Sequence, residues 1–337
     1  MTFLIIDVLA FGFINALMVM GFNLQYGYAG TLNFTYYTFV AVGAYIAAVT
    51  TMGRSPSGVG VETYILQWTL PWPVGLLLGG LAATVLGALI LTLVMRRLRS
   101  DYLAVVTVAL GYVFYEIVSN DTRIFNGSNG IYSVPPLAGT ASMSSVQYSL
   151  VILLLSAFLL ACVYWLSRRL FLSPYGRVLR ALREDEIFAM SYGKDVARAR
   201  LWVFLLGSFI GGVAGGILVF YIGAFSPAAF TPLETFFLFA AIIIGGSGNY
   251  NGAILGAFVV LELVTEASRF LPTIGGLANS GPIRAVLIGV ALILVLKFRP
   301  VGLIPERPMK FYRTRAPLWR RLRMRGKSGP TDAVVPQ

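Results

Sequence analysis

Histidine is absent from this 337-residue chain, cysteine occurs once, and charged side chains make up 12% of it. Each scarcity excludes something. Without histidine, the commonest proton carrier and metal ligand is missing. A lone cysteine, Cys162, can form no disulfide within the chain. A soluble domain is usually about 25% charged, and a surface with half that share could not face water all round. Enzyme signatures are scarce too. Gly326-Lys327-Ser328 ends like a nucleotide-binding loop, but Arg321 stands where the first glycine belongs. There is no HExxH, no metal-ligand cluster, no Gly-x-Ser-x-Gly elbow and no nucleophile–base pair. No catalytic residue, bound metal or cofactor is expected, and the chain is not read as an enzyme.

What is present is apolar sequence, at 57% of the residues. Residues 8–53 carry no charge, room for two spans of roughly 20 residues with a break between them. The pattern predicts an all-α polytopic membrane protein with about nine transmembrane helices (range 8–10), some broken or re-entrant. The expected spans are 3–22, 32–51, 72–95, 102–119, 147–167, 199–222, 233–247, 252–270 and 283–298. Residues 54–71 read as a loop, 120–146 as a polar outer stretch and Pro272–Pro282 as a Gly/Pro loop. Residues 1–305 form the membrane domain, and 306–337 read as a basic, disordered or surface-bound tail. The first apolar run lacks a basic leader and a small-residue cleavage site, so it is not read as a signal peptide.

The formal charge of +12 sits in short clusters beyond apolar runs, which favours a membrane over nucleic acid. With 96–99, 168–200 and 297–327 in the cytoplasm, 22 of the 26 basic residues lie inside. The four outside are Arg54, Arg123, Arg269 and Arg284. That orientation puts the C-terminus inside.

Two spans carry small residues every four positions: Gly75, Gly79, Ala83 and Gly87 in the third, and Gly207, Gly211 and Gly215 in the sixth. Such faces let helix backbones approach closely, either within this subunit or at a seam with a second one. The break NLQYGYAGTLNFTYY, residues 23–37, combines loosened backbone at Gly27 and Gly30 with Asn23, Gln25, Asn33, Thr35, Tyr36 and Tyr37. Irregular backbone at membrane depth is tolerated only if buried in protein or lining a watery path. The stretch is therefore a candidate solute pathway or, alternatively, an ordinary turn. Tyr26-Gly27 and Tyr221-Ile222-Gly223 end the first and sixth spans alike, in the manner of an inverted repeat. The acids in or near spans are Asp7, Glu116, Glu234, Glu262 and Glu266. Glu116 reads as the deepest, with a role on the pathway or in a structural pair.

One charged segment interrupts the apolar chain, PYGRVLRALREDEIFAMSYGKDVARAR at 174–200. Ser173 suits a helix cap, Pro174 its first turn, Gly193 a stop and Asp195 the next cap. Arg177, Arg180 and Arg183 recur every three residues, which reads as one face, beside an apolar strip of Val178, Leu179 and Leu182. The prediction is a short amphipathic helix below the membrane. It either lies on lipid headgroups or docks into a cytoplasmic protein. The acids Glu184, Asp185 and Glu186 favour docking, because anionic lipid would repel them.

Several motifs together resemble one family. GFNLQYGYAGTLNF…GAYIAA, RSDYLAVVTVALGYVFYEIVSN, NGSNGI, GRVLRALREDEIFAMSYGKDVARARLWVF, GGVAGGILVFYIGAFSP, IIIGGSGNYNGAILGA and KFRPVGLI run in order over roughly residues 10–304. They look like the permease subunits of branched-chain amino-acid ABC importers, LivM type. The resemblance implies inward transport by alternating access across a prokaryotic inner or plasma membrane. It also implies a second homologous permease subunit, two ATP-binding subunits that consume the ATP, and an extracytoplasmic solute-binding protein. In that family 174–200 occupies the place of the coupling region, so Arg177, Arg180, Arg183, Glu184, Asp185, Glu186 and Gly193 would meet the ATPase. Where relatives often read SLGHAAF this chain has NFTYYTF at 33–39. Related permeases carry urea, other amino acids or small carboxylates. A stand-alone ion-coupled transporter is the competing class, and it would need more ionisable groups at mid-membrane than the sequence offers.

Overall fold

The computed structural model describes residues 2–53, 65–66, 68–95, 100–137, 140, 143–191, 193, 195–269 and 280–306. Most of the expected 54–71 loop, the Gly/Pro loop up to residue 279 and the tail beyond Glu306 lie outside the described residues. In chain order the helices are α1 (Thr2–Asn23), α2 (Tyr36–Thr51), α3 (Trp72–Ile90), α4 (Ser100–Asn120), the short α5 (Thr122–Phe125) and α6 (Ser145–Leu172). Then follow α7 (Pro174–Glu184), α8 (Glu186–Ser191), α9 (Val196–Ile222), α10 (Pro232–Gly245), α11 (Tyr250–Gly256), α12 (Val264–Arg269) and α13 (Ser280–Phe298). Wider π-helical turns follow α1 at Leu24–Tyr28, follow α3 at Leu91–Met95, and join α11 to α12 at Ala257–Leu263.

Among the described residues, seven helical stretches are long and apolar enough to cross a bilayer: Leu4–Tyr28, Trp72–Val94, Tyr102–Asn120, Ser145–Leu172, Val196–Ile222, Pro227–Gly245 and Tyr250–Ala267. The chain is an all-α, multi-pass membrane protein. The predicted second span is shorter than expected. α2 has 16 residues, about 24 Å at 1.5 Å per residue, against a hydrocarbon core of about 30 Å. Residues 29–35 before it run without helix. The ninth predicted span coincides with α13, of 19 residues.

The core is built on α9, whose apolar window is 78% buried, more than that of any other of the seven stretches. Glycine explains why α2 and α3 can close on it. A Cβ on Gly43 would stand 2.0 Å from the Gly212 carbonyl oxygen, and one on Gly79 would stand 2.6 Å from that of Gly43. Gly75 faces Thr51, and Gly87 faces Ser208. Both small-residue stripes are thus occupied by packing within this chain. Backbone approach of this kind maximises van der Waals contact where lipid supplies no hydrophobic drive. α4 and α6, by contrast, have windows only 22% buried. They turn Val105, Val113, Ile117, Leu150, Leu154 and Phe158 outward.

After α5 the chain turns sharply at an asparagine and two glycines. Asn126, Gly127 and Gly130 take positive φ, and the Asn126 side chain donates to Gly130 O at 2.8 Å. Ile131 and Phe225 then exchange two backbone hydrogen bonds of 2.8 Å. That isolated bridge anchors the stretch to the α9–α10 connection.

Candidate functional site

The charged interruption forms two helices where a single one was predicted. Ser173 caps α7, accepting from Gly176 N at 3.3 Å, with Pro174 in its first turn. The chain then breaks at Asp185, whose backbone is extended. Its carboxylate accepts from Phe188 N at 3.0 Å, as a cap for α8 does. Gly193 takes φ +69°, and Asp195 caps α9 through Arg198 N at 2.9 Å. Tyr175 braces the assembly by donating to Ala199 O at 2.7 Å. Burial pushes its phenol above the ordinary value, so it stays a neutral donor.

The three arginines do not share one face. Steps of three residues fall about 60° short of a full turn each. Arg177 is therefore exposed, while Arg180 and Arg183 turn inward. Arg180 Nε lies 2.8 Å from one oxygen of Glu306, and its guanidinium stacks 3.8 Å over the Phe171 ring. Arg183 Nη2 lies 2.5 Å from the other Glu306 oxygen. Its Nη1 donates to the carbonyl of Gly27, in the break after α1. Glu186 pairs with Arg200 at 2.8 Å, and Glu184 and Asp185 remain exposed. The outward face of α8 is apolar: Ile187 is 77%, Phe188 57% and Met190 51% exposed. A groove lined by Tyr175, Arg177, Val178, Ala181 and Phe188 adjoins it.

The residues of the 23–37 break are brought together, but they face one another. Gln25 Nε2 donates to Phe204 O at 2.9 Å and to Ser208 Oγ at 3.2 Å on α9. Asn33 Nδ2 donates to Gln25 Oε1 at 2.9 Å, and Asn33 Oδ1 accepts from Thr35 N at 3.1 Å. The Tyr36 hydroxyl reaches Gly207 O at 3.3 Å. Asn23 Oδ1 accepts from Gly248 N at 3.2 Å. All five side chains are buried, and they satisfy backbone that the irregular turn leaves open. Gly30, at φ +66°, lies against Arg183.

Tyr37 alone of this group borders open space. A cavity of about 520 Å³ lies between α1, α9, α10, α12 and α13, at the end opposite α7–α8. Its polar lining includes Asn15, Tyr37, Glu234, Glu262, Glu266 and Arg284, and its apolar wall includes Phe11, Leu218, Leu238 and Leu261. Arg284 Nη2 donates to Glu234 at 3.2 Å, and Asn15 Nδ2 donates to Glu262 at 2.5 Å. Glu262, only 7% exposed, sits in the π-helical turn Ala257–Leu263, a distortion frequent at functional sites. Glu116 instead lies on the exposed flank of α4, accepting from Asn120 Nδ2 at 2.9 Å. Among the span acids Glu262, not Glu116, is the buried one.

Asn15, Arg284 and Glu306 carry this arrangement and were not singled out from the sequence. Asn15 is one amide in an apolar run. Arg284 counted only as an outside charge, and Glu306 stood as the first residue of a tail. A faint signal existed in Glu234 and Arg284, each in the opening turns of a late span.

The chain matches the family model described as branched-chain amino acid transport system / permease component over residues 4–296. It is similar to a probable branched-chain amino acid transport permease protein LivM of Methanocaldococcus jannaschii, at 28% identity over 86% of this chain and 90% of that one. The high-affinity branched-chain amino acid transport system permease protein LivM of Escherichia coli is 29% identical over 89% of this chain and 70% of its own length. A probable LivH permease of M. jannaschii is more distant, 22% identical over 85% of this chain. No solved structure matches the chain.

Proposed function

This chain belongs to the family of permease components of branched-chain amino acid transport systems, and from that we propose that it is a membrane subunit of an ATP-driven importer for branched-chain amino acids or similar small amphipathic solutes. It would work in a prokaryotic inner or plasma membrane, paired with a second, LivH-like permease subunit. Two separate ATP-binding subunits would supply the energy, and an extracytoplasmic binding protein would deliver the solute. Solute would pass inward by alternating access.

The observation that carries this reading is the α7–α8 pair. Long apolar helices, α6 and α9, flank a charged helical hairpin whose outer knob is Ile187, Phe188 and Met190. Exposed aliphatic and aromatic side chains beside Arg177 and Glu184 suit a groove on a protein partner better than headgroups, which would meet the acids with repulsion. We assign Arg177, Glu184, Asp185 and the knob to the ATPase contact, with Gly193 as the turn that returns the chain to α9. Arg180, Arg183 and Glu186 support that surface from behind.

For the solute, the chamber is the favoured station. Its acidic and basic groups could meet the ammonium and carboxylate of an amino acid, and Phe11, Leu218, Leu238 and Leu261 could meet an aliphatic side chain. Tyr37 would belong to that wall. Asn23, Gln25, Asn33, Thr35 and Tyr36 would hold the broken helix that closes the chamber off from the α7–α8 end.

The test is uptake of labelled leucine by proteoliposomes holding the assembled importer. Uptake should require ATP and all partner subunits. Phe188→Asp should abolish ATP-driven uptake and loosen ATPase binding while the permease pair stays intact. Uptake on a proton gradient without ATPase subunits would overturn the reading.

A further inference from the structure

Four separate pieces of chain meet at the Arg183 guanidinium. The first is the α1 break, through Gly27 O. The second is α7 itself. The third is the turn between α10 and α11. A Cβ on Gly248 in that turn would stand 2.5 Å from Arg183 Nη1 and 3.1 Å from Glu306 Oε2. The fourth is the segment after α13, which brings in Glu306. Secondary ties hold the same pieces together. Asn23 Oδ1 accepts from Gly248 N, and Asn249 Nδ2 donates to Pro305 O at 2.9 Å. Leu303 N and Ile304 N donate to the Ile244 and Gly245 carbonyls at 2.8 and 3.0 Å.

The chemistry of the cluster is unlike plain packing. The Gly27 carbonyl lies at the C-terminal end of a helix, where unspent acceptors and the helix dipole attract a cation. Arginine can serve that carbonyl with one nitrogen and a carboxylate with another, because its donors are fixed in a planar fork. Glu306 receives both Arg180 and Arg183, whose side chains are 12% and 24% exposed. Without that carboxylate, two largely desolvated guanidiniums would repel each other.

We infer that Arg183, held in place by Glu306, is the positioning residue that makes the broken end of α1 move with the α7–α8 hairpin. This rests on the reading of that hairpin as the ATPase contact. α1 also lines the chamber through Phe11 and Asn15. A pull on α7 would therefore reach the solute station through one helix, and would reach α10, which carries Glu234, through the Gly246–Asn249 turn. Glu306, which sequence alone assigns to a tail, is the hub of the linkage.

The experiment compares Arg183→Leu, Arg183→Lys and Glu306→Gln with wild type, each in the complete importer in proteoliposomes, scoring leucine uptake and ATP hydrolysis together. Arg183→Leu and Glu306→Gln should lose tenfold or more of uptake per ATP hydrolysed. Arg183→Lys, which can serve one acceptor at a time, should fall between. A parallel fall of uptake and hydrolysis in all three variants, or an unchanged ratio, overturns the inference. So does failure of all three to assemble with the ATPase, which would make the cluster a folding element. If Arg183→Leu alone fails to assemble, the ratio in Arg183→Lys and Glu306→Gln decides. Absence of ATP-dependent uptake in the wild type would instead sink the importer reading itself.

Discussion

At the scale of the residue, polarity inside this protein has two uses. Gln25 and Asn33 spend their amides on backbone and on each other, tying the break to α9. Replacing Gln25 with Ala would strand the Asn33 amide in a dry site, at a cost of about 1–3 kcal/mol. A lower thermal midpoint in detergent, with the charged chamber untouched, is the expected result. Glu262 and Arg284 differ in that they border open space. Glu262→Ala should cut ATP-driven uptake at least tenfold, whereas Glu116→Ala, out on the flank of α4, should leave it within twofold. Equal effects of the two would remove the chamber from the solute route. The identity of these side chains was legible in the sequence, but their direction was not. An amide at a break satisfies backbone or lines a path according to what stands opposite it, and Phe204 and Ser208 are 179 and 183 positions from Gln25.

At the scale of the element, two rules of spacing behaved differently. Four-residue glycine spacing signalled close helix contact, because each step overshoots a full turn by only about 40°, so successive glycines are neighbours on the helix surface. Gly43→Val should therefore fail to accumulate as folded protein, since even a Cβ there overlaps the Gly212 carbonyl. Gly289→Ala in α13 is the control, with nothing within 4 Å of the added carbon, and it should match wild type in yield and melting temperature. Three-residue arginine spacing misled, because the residual angle accumulates and separates Arg177 from Arg183 by about 120°. The one helix expected between the Ser173 cap and the Gly193 stop became two. Asp185 competed as a cap, a choice local sequence permits but does not force.

At the scale of the whole molecule, charge bias and apolar length act together. The excess of Lys/Arg at 96–99, 168–200 and 297–327 predicts that these segments and the C-terminus face the cytoplasm. Single cysteines in a Cys162→Ala background test this. Ser128→Cys should react with an impermeant maleimide on intact cells, and Glu184→Cys only after permeabilisation. The reverse pattern would invert the chamber, the hairpin and the direction of transport together. α2 sets the limit of reading spans by length. Its 16 residues follow an irregular turn whose backbone groups find partners inside the protein, where length alone predicted a full span.

Sequence alone determined the class of molecule, the positions of its apolar helices and the one charged interruption. Each follows from local quantities: hydropathy over about 20 residues, the sign of flanking charge, and caps at Ser173 and Asp195. Tertiary structure decided which polar groups are used up and which remain available. It turned Arg180 and Arg183 inward, opened a chamber between Asn15, Glu234, Glu262 and Arg284, and brought Glu306 against the α1 break. The physical reason is range. A helix is specified by neighbours within a turn or two, whereas Arg183 and Gly27 are 156 positions apart and Asn15 and Glu262 are 247 apart. Pairings at such separations belong to the folded assembly, in which α9 packs against α1, α2 and α3.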